Sequence, residues 1–309
     1  MKILVVGHLC LDVIHPFEGP EIVSYGGIYY AVGALAALLG PSDRVVPVFG
    51  LNVNDYPQLI EHLQRFPNVD VSGIYTFDTP SNRVTLDYHG PAARTERSLN
   101  IAAPIPFERI RKHLGVDGIL VNMISGFDIT LDTLDQIRMA VREDRVPIHF
   151  DYHSLTLGVD PDNIRFRRPL AEWRRWGFML DTLQLNEEEI GGLTGDGMAE
   201  QQTAGHLLTL NVKGVLVTRG PRGVTLYTNA HKHLVRQDFP GEEIGADGEP
   251  TGCGDVFGAA FHIHFLKTSD LAASAAFANR TAAAKALLRG TDQLMALSEQ
   301  RLPGERKDL

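Results

Sequence analysis

The chain of 309 residues carries 29 Lys+Arg against 38 Asp+Glu, a formal charge of −9, with 44% apolar and 22% charged residues. This composition excludes a disordered, collagenous or low-complexity chain. An acidic chain without a Lys/Arg-rich block has no electrostatic footprint for nucleic acid or an anionic membrane surface, so neither is expected as a partner.

Two cysteines, Cys10 and Cys253, exclude a disulfide framework and a thiolate metal cluster. The start, MKILVVGHLCLDVI, is broken by Gly7, His8 and Asp12 and is too short for a signal-peptide core. No apolar run approaches the roughly 18 residues of a membrane span. A cytoplasmic protein is expected.

In chain order, residues 2–6 read as a buried strand and 28–39 as an Ala/Leu-rich helix stopped at Gly40. Strand 45–49 precedes a helix over 56–64. Segments 118–123, 147–151 and 178–185 are further strands, with helices over 131–141 and 170–176 between them. Segment 214–218 is another central strand, 224–227 a second one after it, and helices over 256–266 and 271–289 close the pattern. Continuous apolar strands with helical crossovers imply an α/β fold, a mostly parallel central sheet with helices on both faces. Two stretches break the alternation. Residues 12–25, with a turn at Glu18, Gly19 and Pro20, and 82–99, with a turn at Gly90 and Pro91, alternate as hairpins with one wet face. They are read as a small β-sheet lid (segments 12–27 and 82–99) on a single domain over 1–300, with 301–309 a flexible tail.

Residues 249–260, EPTGCGDVFGAA, carry the most chemistry. Thr251-Gly252-Cys253-Gly254-Asp255 is small and glycine-flanked, and an apolar helix opens directly after it. Successive backbone N–H groups at the positive end of a helix make an anion cradle, and glycine lets the backbone come close to an oxyanion. Asp255 sets a carboxylate beside that cradle. As a passive neighbour it would repel a bound phosphate. As a base it takes a hydroxyl proton while the backbone of Gly252, Cys253 and Gly254 holds the transferring phosphoryl. The competing reading is a helix cap worth about 1 kcal/mol.

The turn Thr218-Arg219-Gly220-Pro221-Arg222-Gly223 follows the 214–218 strand, at the strand end where open α/β sheets bind ligands. It also suits a plain hairpin. Asn186 and Glu189, spaced i, i+3 on the first turn of a helix, face one way and suit a hydrated Mg²⁺ near phosphates. An acid-rich helix start favoured by the macrodipole is the alternative.

Taken in this order, the residues resemble the ribokinase-like carbohydrate kinase family (the PfkB group) over about residues 1–292. Gly7 with Asp12 resembles its first motif, and Gly26-Gly27 with Leu39-Gly40 its glycine-pair signature. Asn186 and Glu189 match Asn-x-x-Glu, residues 218–223 resemble the nucleotide loop, and 251–255 the carboxy-terminal signature. The resemblance implies a ribokinase-like fold and ATP-dependent transfer of the γ-phosphoryl to a hydroxyl of a small sugar, polyol or nucleoside. Asp255 would be the base, and the Gly252–Asp255 amides would stabilise phosphoryl charge. Asn186 and Glu189 would organise Mg²⁺ with its waters. Thr218, Gly220, Gly223, Asn186 and Asn279 would line ATP, and Asp12, Gly26 and Gly27 would bind acceptor hydroxyls. The lid would exclude water, and in this family such a lid can pair with a twin lid in a homodimer.

The chain departs from the family at three places. Glu249-Pro250 stand for Asp-Thr, which leaves a monovalent-cation site on that loop open. Cys253 stands for Ala, and Ala31 for an Asn that binds a sugar hydroxyl, beside the bulky Tyr29 and Tyr30. Ribose is therefore not the expected acceptor. A cyclic polyol such as inositol, a modified sugar or a nucleoside stays open, and the Gly7–Asp12 opening resembles inositol kinases of the family.

Two rival readings compete with this one. Gly252, Gly254 and Gly258 give G-x-G-x-x-x-G, as in an NAD(P)-dependent oxidoreductase, but that fingerprint follows a buried strand near the start of its domain. A non-catalytic sugar- or nucleotide-binding protein on the same fold gains nothing from Asp255. No G-x-x-x-x-G-K-[ST] occurs. His262 with His264, and His231 with His233, lack a third ligand nearby and read as structural. Trp173 and Trp176 read as a helix packed on the sheet.

Overall fold

The computed structural model describes residues 1–89, 94–231, 233–243 and 248–298. The first part of the chain forms β1 (Lys2–Val6), β2 (Leu9–His15), β3 (Ile22–Gly27), α1 (Ile28–Leu38), β4 (Arg44–Asn52), α2 (Tyr56–Leu63), β5 (Ile74–Phe77), β6 (Arg83–Tyr88) and β7 (Arg94–Leu99). The middle forms α3 (Phe107–Ile110), β8 (Gly118–Asn122), α4 (Leu131–Val141), β9 (Ile148–Asp151), β10 (Leu157–Val159), β11 (Arg165–Arg167) and α5 (Trp173–Phe178). The last part forms β12 (Thr182–Asn186), α6 (Glu187–Gly192), α7 (Glu200–Leu208), β13 (Gly214–Thr218), β14 (Gly223–Ala230), β15 (His233–Pro240), α8 (Cys253–Thr268) and α9 (Leu271–Ala286).

Among the described residues nine strands make one sheet, ordered β15-β14-β13-β12-β9-β8-β1-β4-β5. Strands β13 to β5 pair in parallel, and β14 and β15 add antiparallel pairings at one edge. The central strands are apolar throughout because both faces are covered: Ile3, Leu4, Val5 and Val6 have no exposure. Consecutive residues of β9 show the two layers. His149 packs on Phe261 and His262 of α8, whereas Phe150 packs on Trp176 of α5, as the alternation of a strand requires. Helices α1, α8 and α9 pack together in one layer. No helix of the described residues is long and apolar enough to cross a membrane.

A second sheet, β3-β2-β6-β7, is the lid expected from the sequence. Each hairpin is antiparallel within itself, and the two join through a parallel β2–β6 pairing. The turn at Gly90 and Pro91 and the tail 301–309 lie outside the described residues. Several boundaries differ from the sequence reading, three of them near the site. The expected strand 178–185 begins only at Thr182, because Phe178 ends α5, which itself starts at Trp173 rather than at residue 170. Helix α8 begins at Cys253, so Asp255 lies inside its first turn instead of ahead of it. The hairpin of β10 and β11 was not legible, since three-residue strands carry too little period to detect.

Candidate active site

The carboxyl ends of the parallel strands converge, as ligand sites in open α/β sheets do. Asn122 ends β8, Asp151 ends β9, Asn186 ends β12 and Thr218 ends β13. The amino end of α8 and the lid face one another over a cleft of about 270 Å³. Of the residues anticipated from sequence, Asp12, Gly27, Gly252, Gly254 and Asp255 line it, with Thr251.

Asp255 is 8% exposed, and its Oδ1 accepts a 2.7 Å hydrogen bond from Asn122 Nδ2. The cap of α8 is Gly252, in a left-handed conformation with no side-chain cap bond, so Asp255 is not the helix cap of the competing reading. Burial raises the Asp255 pKa above the usual carboxylate value, and the charge of His153 and the Asn122 bond oppose that rise. The cradle needs one correction. The Cys253 N–H donates to Pro250 O at 3.1 Å, so it is spent on the turn. The amides of Gly252, Gly254 and Asp255 have no backbone partner among the described residues.

The two glycines differ in their surroundings. Gly252 has φ +80°, and a Cβ on it would stand 2.2 Å from Cδ1 of the Tyr30 ring. A Cβ on Gly254 would make only an ordinary contact, 3.7 Å from Gln184 Nε2, which donates to Gly254 O at 3.0 Å. On the lid side Gly26 is required because a Cβ would fall 1.9 Å from Oδ2 of Asp12. Gly27, at φ +60°, is the cap residue of α1.

Carboxylates crowd the cleft. Asp12 is pushed up to about 7, first by burial and then by Asp255 and Glu96, against the pull of the Cys10 bond. Burial likewise raises Asp151 and Glu189. His153, at a left-handed φ of 33°, lines the same cleft. Burial would lower its pKa, but Asp255, Asp151 and Glu189 together raise it. In Asp12, Asp151, Glu189 and Asp255 alike burial is the first cause of the rise, because it disfavours the charged form.

Asn186 and Glu189 form a reciprocal capping box on α6. Glu189 Oε2 accepts from Asn186 N at 2.7 Å, Oε1 accepts from Asn186 Nδ2 at 2.7 Å, and Asn186 Oδ1 accepts from Glu189 N at 2.9 Å. Among the described residues no cluster of three or more His, Cys, Asp or Glu is arranged to ligate a metal directly. Oxygen donors such as these suit a Mg²⁺ that keeps its waters.

The other donor-side residues gather at the neighbouring strand ends. Asn186 and Thr218 are register partners across β12 and β13, and Thr218 Oγ1 donates to Leu185 O at 3.4 Å. Gly220 and Gly223 have φ of +57° and +97°, and a Cβ on Gly223 would meet Phe239 O at 2.0 Å. Asn279 Nδ2 donates to Pro240 O at 2.7 Å, and Pro240 is the register partner of Gly223. Asn279 thus touches this loop through Pro240. None of these five residues lines the 270 Å³ cleft.

Several residues in and around the site were missed from sequence. Asn122 and Asp151 were detectable as polar residues closing apolar strand runs. Arg165 was not. It arrives on the β10–β11 hairpin, donates to Ser98 Oγ at 2.6 Å and pairs with Glu96 at 3.2 Å, both on the lid. Burial raises the Cys10 thiol well above its usual value and Cys253 to about 11, which disfavours the thiolate at both. His262 has no exposure, and His264 Nδ1 lies 3.0 Å from Ser274 Oγ in a hydrogen bond. The dinucleotide reading fails on position, since residues 248–250 before the glycines are not a strand and Gly258 lies inside α8.

Residues 170–296 match the model of the pfkB family carbohydrate kinases. The chain is 24% identical over 269 residues to a cytidine kinase of Thermococcus kodakarensis, covering 84% of this chain and 87% of that one. The structure of a pyrophosphate-dependent kinase in the ribokinase family aligns with a TM-score of 0.77 at 16% identity, over 94% of this chain and 96% of the other. Ribokinase from Thermotoga maritima aligns at 0.74 and 22% identity, over 96% of each chain. The fold is therefore ribokinase-like, with its mostly parallel sheet and β lid. Over residues 170–296 the chain is similar to the pfkB family carbohydrate kinases.

Proposed function

We propose that the protein is a phosphotransferase that moves the γ-phosphoryl of ATP to a hydroxyl of a small sugar, polyol or nucleoside. The observation that carries this reading is Asp255. It is a buried carboxylate of raised pKa, oriented by Asn122, in the first turn of α8 and facing a cleft closed by the lid. The family match and the kinase relatives support the same chemistry.

In the proposed reaction Asp255 accepts the proton of the acceptor hydroxyl while that oxygen bonds to the γ-phosphorus. The bond from phosphorus to the bridging oxygen breaks, and ADP leaves with the electron pair. The Gly252 and Gly254 amides, at the positive end of α8, meet the charge on the transferring group. Glu189 and Asn186 would hold Mg²⁺ through its waters, and the ion would offset phosphate charge. Thr218, Gly220 and Gly223 line the donor, with Asn279 holding Pro240 beside them. Asp12 and Glu96 accept hydrogen bonds from acceptor hydroxyls, Arg165 donates, and Val84, Leu86, Ile124 and Tyr30 wall the cleft. Ala31, at the position where the family has a sugar-binding Asn, is fully buried and contributes nothing to that wall.

The test is a matrix of donors (ATP, GTP, pyrophosphate) against sugars, cyclic polyols and nucleosides, read as donor consumed and phosphorylated product formed. Turnover with at least one hydroxyl acceptor is expected, and it should require Mg²⁺. Ligand binding across the panel without any transfer would favour the non-catalytic reading.

A further inference from the structure

Among the buried ionisable groups that the mechanism leaves unused is a lysine. Lys285, in the last turn of α9, has no exposure. Lysine is almost never fully buried unless its charge is balanced. Its Nζ donates to the carbonyls of Glu249 at 3.5 Å and Leu288 at 3.3 Å, and lies 5.4 Å from the centroid of the Tyr30 ring. None of the ion pairs among the described residues includes it. Carbonyl oxygens and an aromatic face are what binds a small monovalent cation. Here the cation comes attached to the chain.

What the ammonium touches explains its place. Glu249 is the anchor of the segment that runs into the cradle. Its N–H donates to Ala286 O at 2.8 Å, its Oε2 accepts from Gly290 N at 2.8 Å, and its carbonyl accepts from Cys253 Sγ at 3.5 Å as well as from Lys285. The Tyr30 ring that flanks the ammonium is the same ring against which Gly252 sits without room for a Cβ. Lys285 thus contacts both the root of the 249–252 segment and the ring beneath Gly252. Its charge also favours the ionised forms of Asp255 and Cys253.

We propose that Lys285 is a positioning residue: a tethered cation that clamps the 249–252 segment to the end of α9 and so holds the Gly252 and Gly254 amides where the phosphoryl charge develops. It takes the place of a dissociable monovalent ion at those carbonyls, so the native protein has no need of one. This rests on the phosphotransfer reading for its kinetic part only.

Two variants test it. Lys285→Met keeps the volume and removes the charge. Its kcat should fall by about ten- to a hundredfold with little change in acceptor KM, as a displaced catalytic group behaves. Its melting temperature should hold, because an apolar replacement of a buried charge is often neutral for stability. Lys285→Ala opens room at the carbonyls, so K⁺, NH₄⁺ or methylammonium should restore kcat saturably, whereas the native protein should ignore all three. Amide exchange of residues 248–254 should be faster in both variants and slowed in Lys285→Ala by the rescuing cation. This readout and a cation-dependent thermal shift need no turnover, so they survive a failure of the kinase reading. Native kcat and native exchange in Lys285→Met would overturn the proposal, and so would a Lys285→Ala protein that no cation changes.

Discussion

Asp255→Asn separates a base from a structural acid. The side chain is buried, and its one side-chain partner is the Asn122 amide at 2.7 Å, a bond that an amide oxygen at the same place can still accept. Geometry is therefore kept and only the proton acceptor is lost. A positioned base contributes about 10²–10⁴ in rate, which is about 3–5 kcal/mol of barrier. Stability should move the other way. The folded pKa of Asp255 lies above its unfolded value of 3.8. The stability linked to this group is complete below pH 3.8 and is lost as pH rises through the folded pKa. The neutral amide escapes that loss, so the variant should match the native protein at pH 4 and equal or exceed it at pH 8. The assays are donor turnover at saturating acceptor, calorimetric nucleotide binding, and melting at both pH values. Nucleotide affinity should be retained. A kcat within threefold of native would refute the base, and a collapsed melting temperature at pH 8 would show that the carboxylate is structural.

Three further outcomes are expected. Asp12, pushed up to about 7, should give kcat/KM an acid limb near that pH, because its ionised form is the stronger acceptor for an acceptor hydroxyl. Asp12→Asn should raise KM and move the limb to lower pH, and an unmoved limb would remove Asp12 from the acceptor site. Gly252→Ala combines a left-handed φ of +80° with a Cβ 2.2 Å from Tyr30. It should cost about 2–4 kcal/mol, from backbone strain and overpacking together, read by denaturant melts, and Tyr30→Ala in the same chain should recover part of it. His262, held down to about 3 by burial and with neither ring nitrogen hydrogen-bonded, folds in its neutral form. Its stability contribution is complete above the unfolded value of 6.5 and is lost as pH falls toward 3. His262→Leu should flatten the loss of stability between pH 7 and pH 4, and an equally steep loss would show that other groups set it.

Much of the fold was legible in the sequence because its signals are local. An apolar run such as residues 2–6 or 214–218 can be satisfied only by burial on both faces, and the polar alternation of 82–99 only by a half-wet hairpin. The glycine-flanked Asp255 motif was legible for the same reason, since close backbone approach and a carboxylate beside a helix start are written in neighbouring residues. Tertiary structure decided which distant groups meet. Asn122 supports Asp255 from 133 positions away. Arg165 reaches the lid from a hairpin too short to detect, and Lys285 returns from the end of α9 to hold the segment that feeds the cradle. Gly252 looked like a residue kept small for its ligand, and the Tyr30 ring shows a second reason. Such pairings depend on where the sheet order brings strand ends and helix termini together, and no local spacing encodes that order.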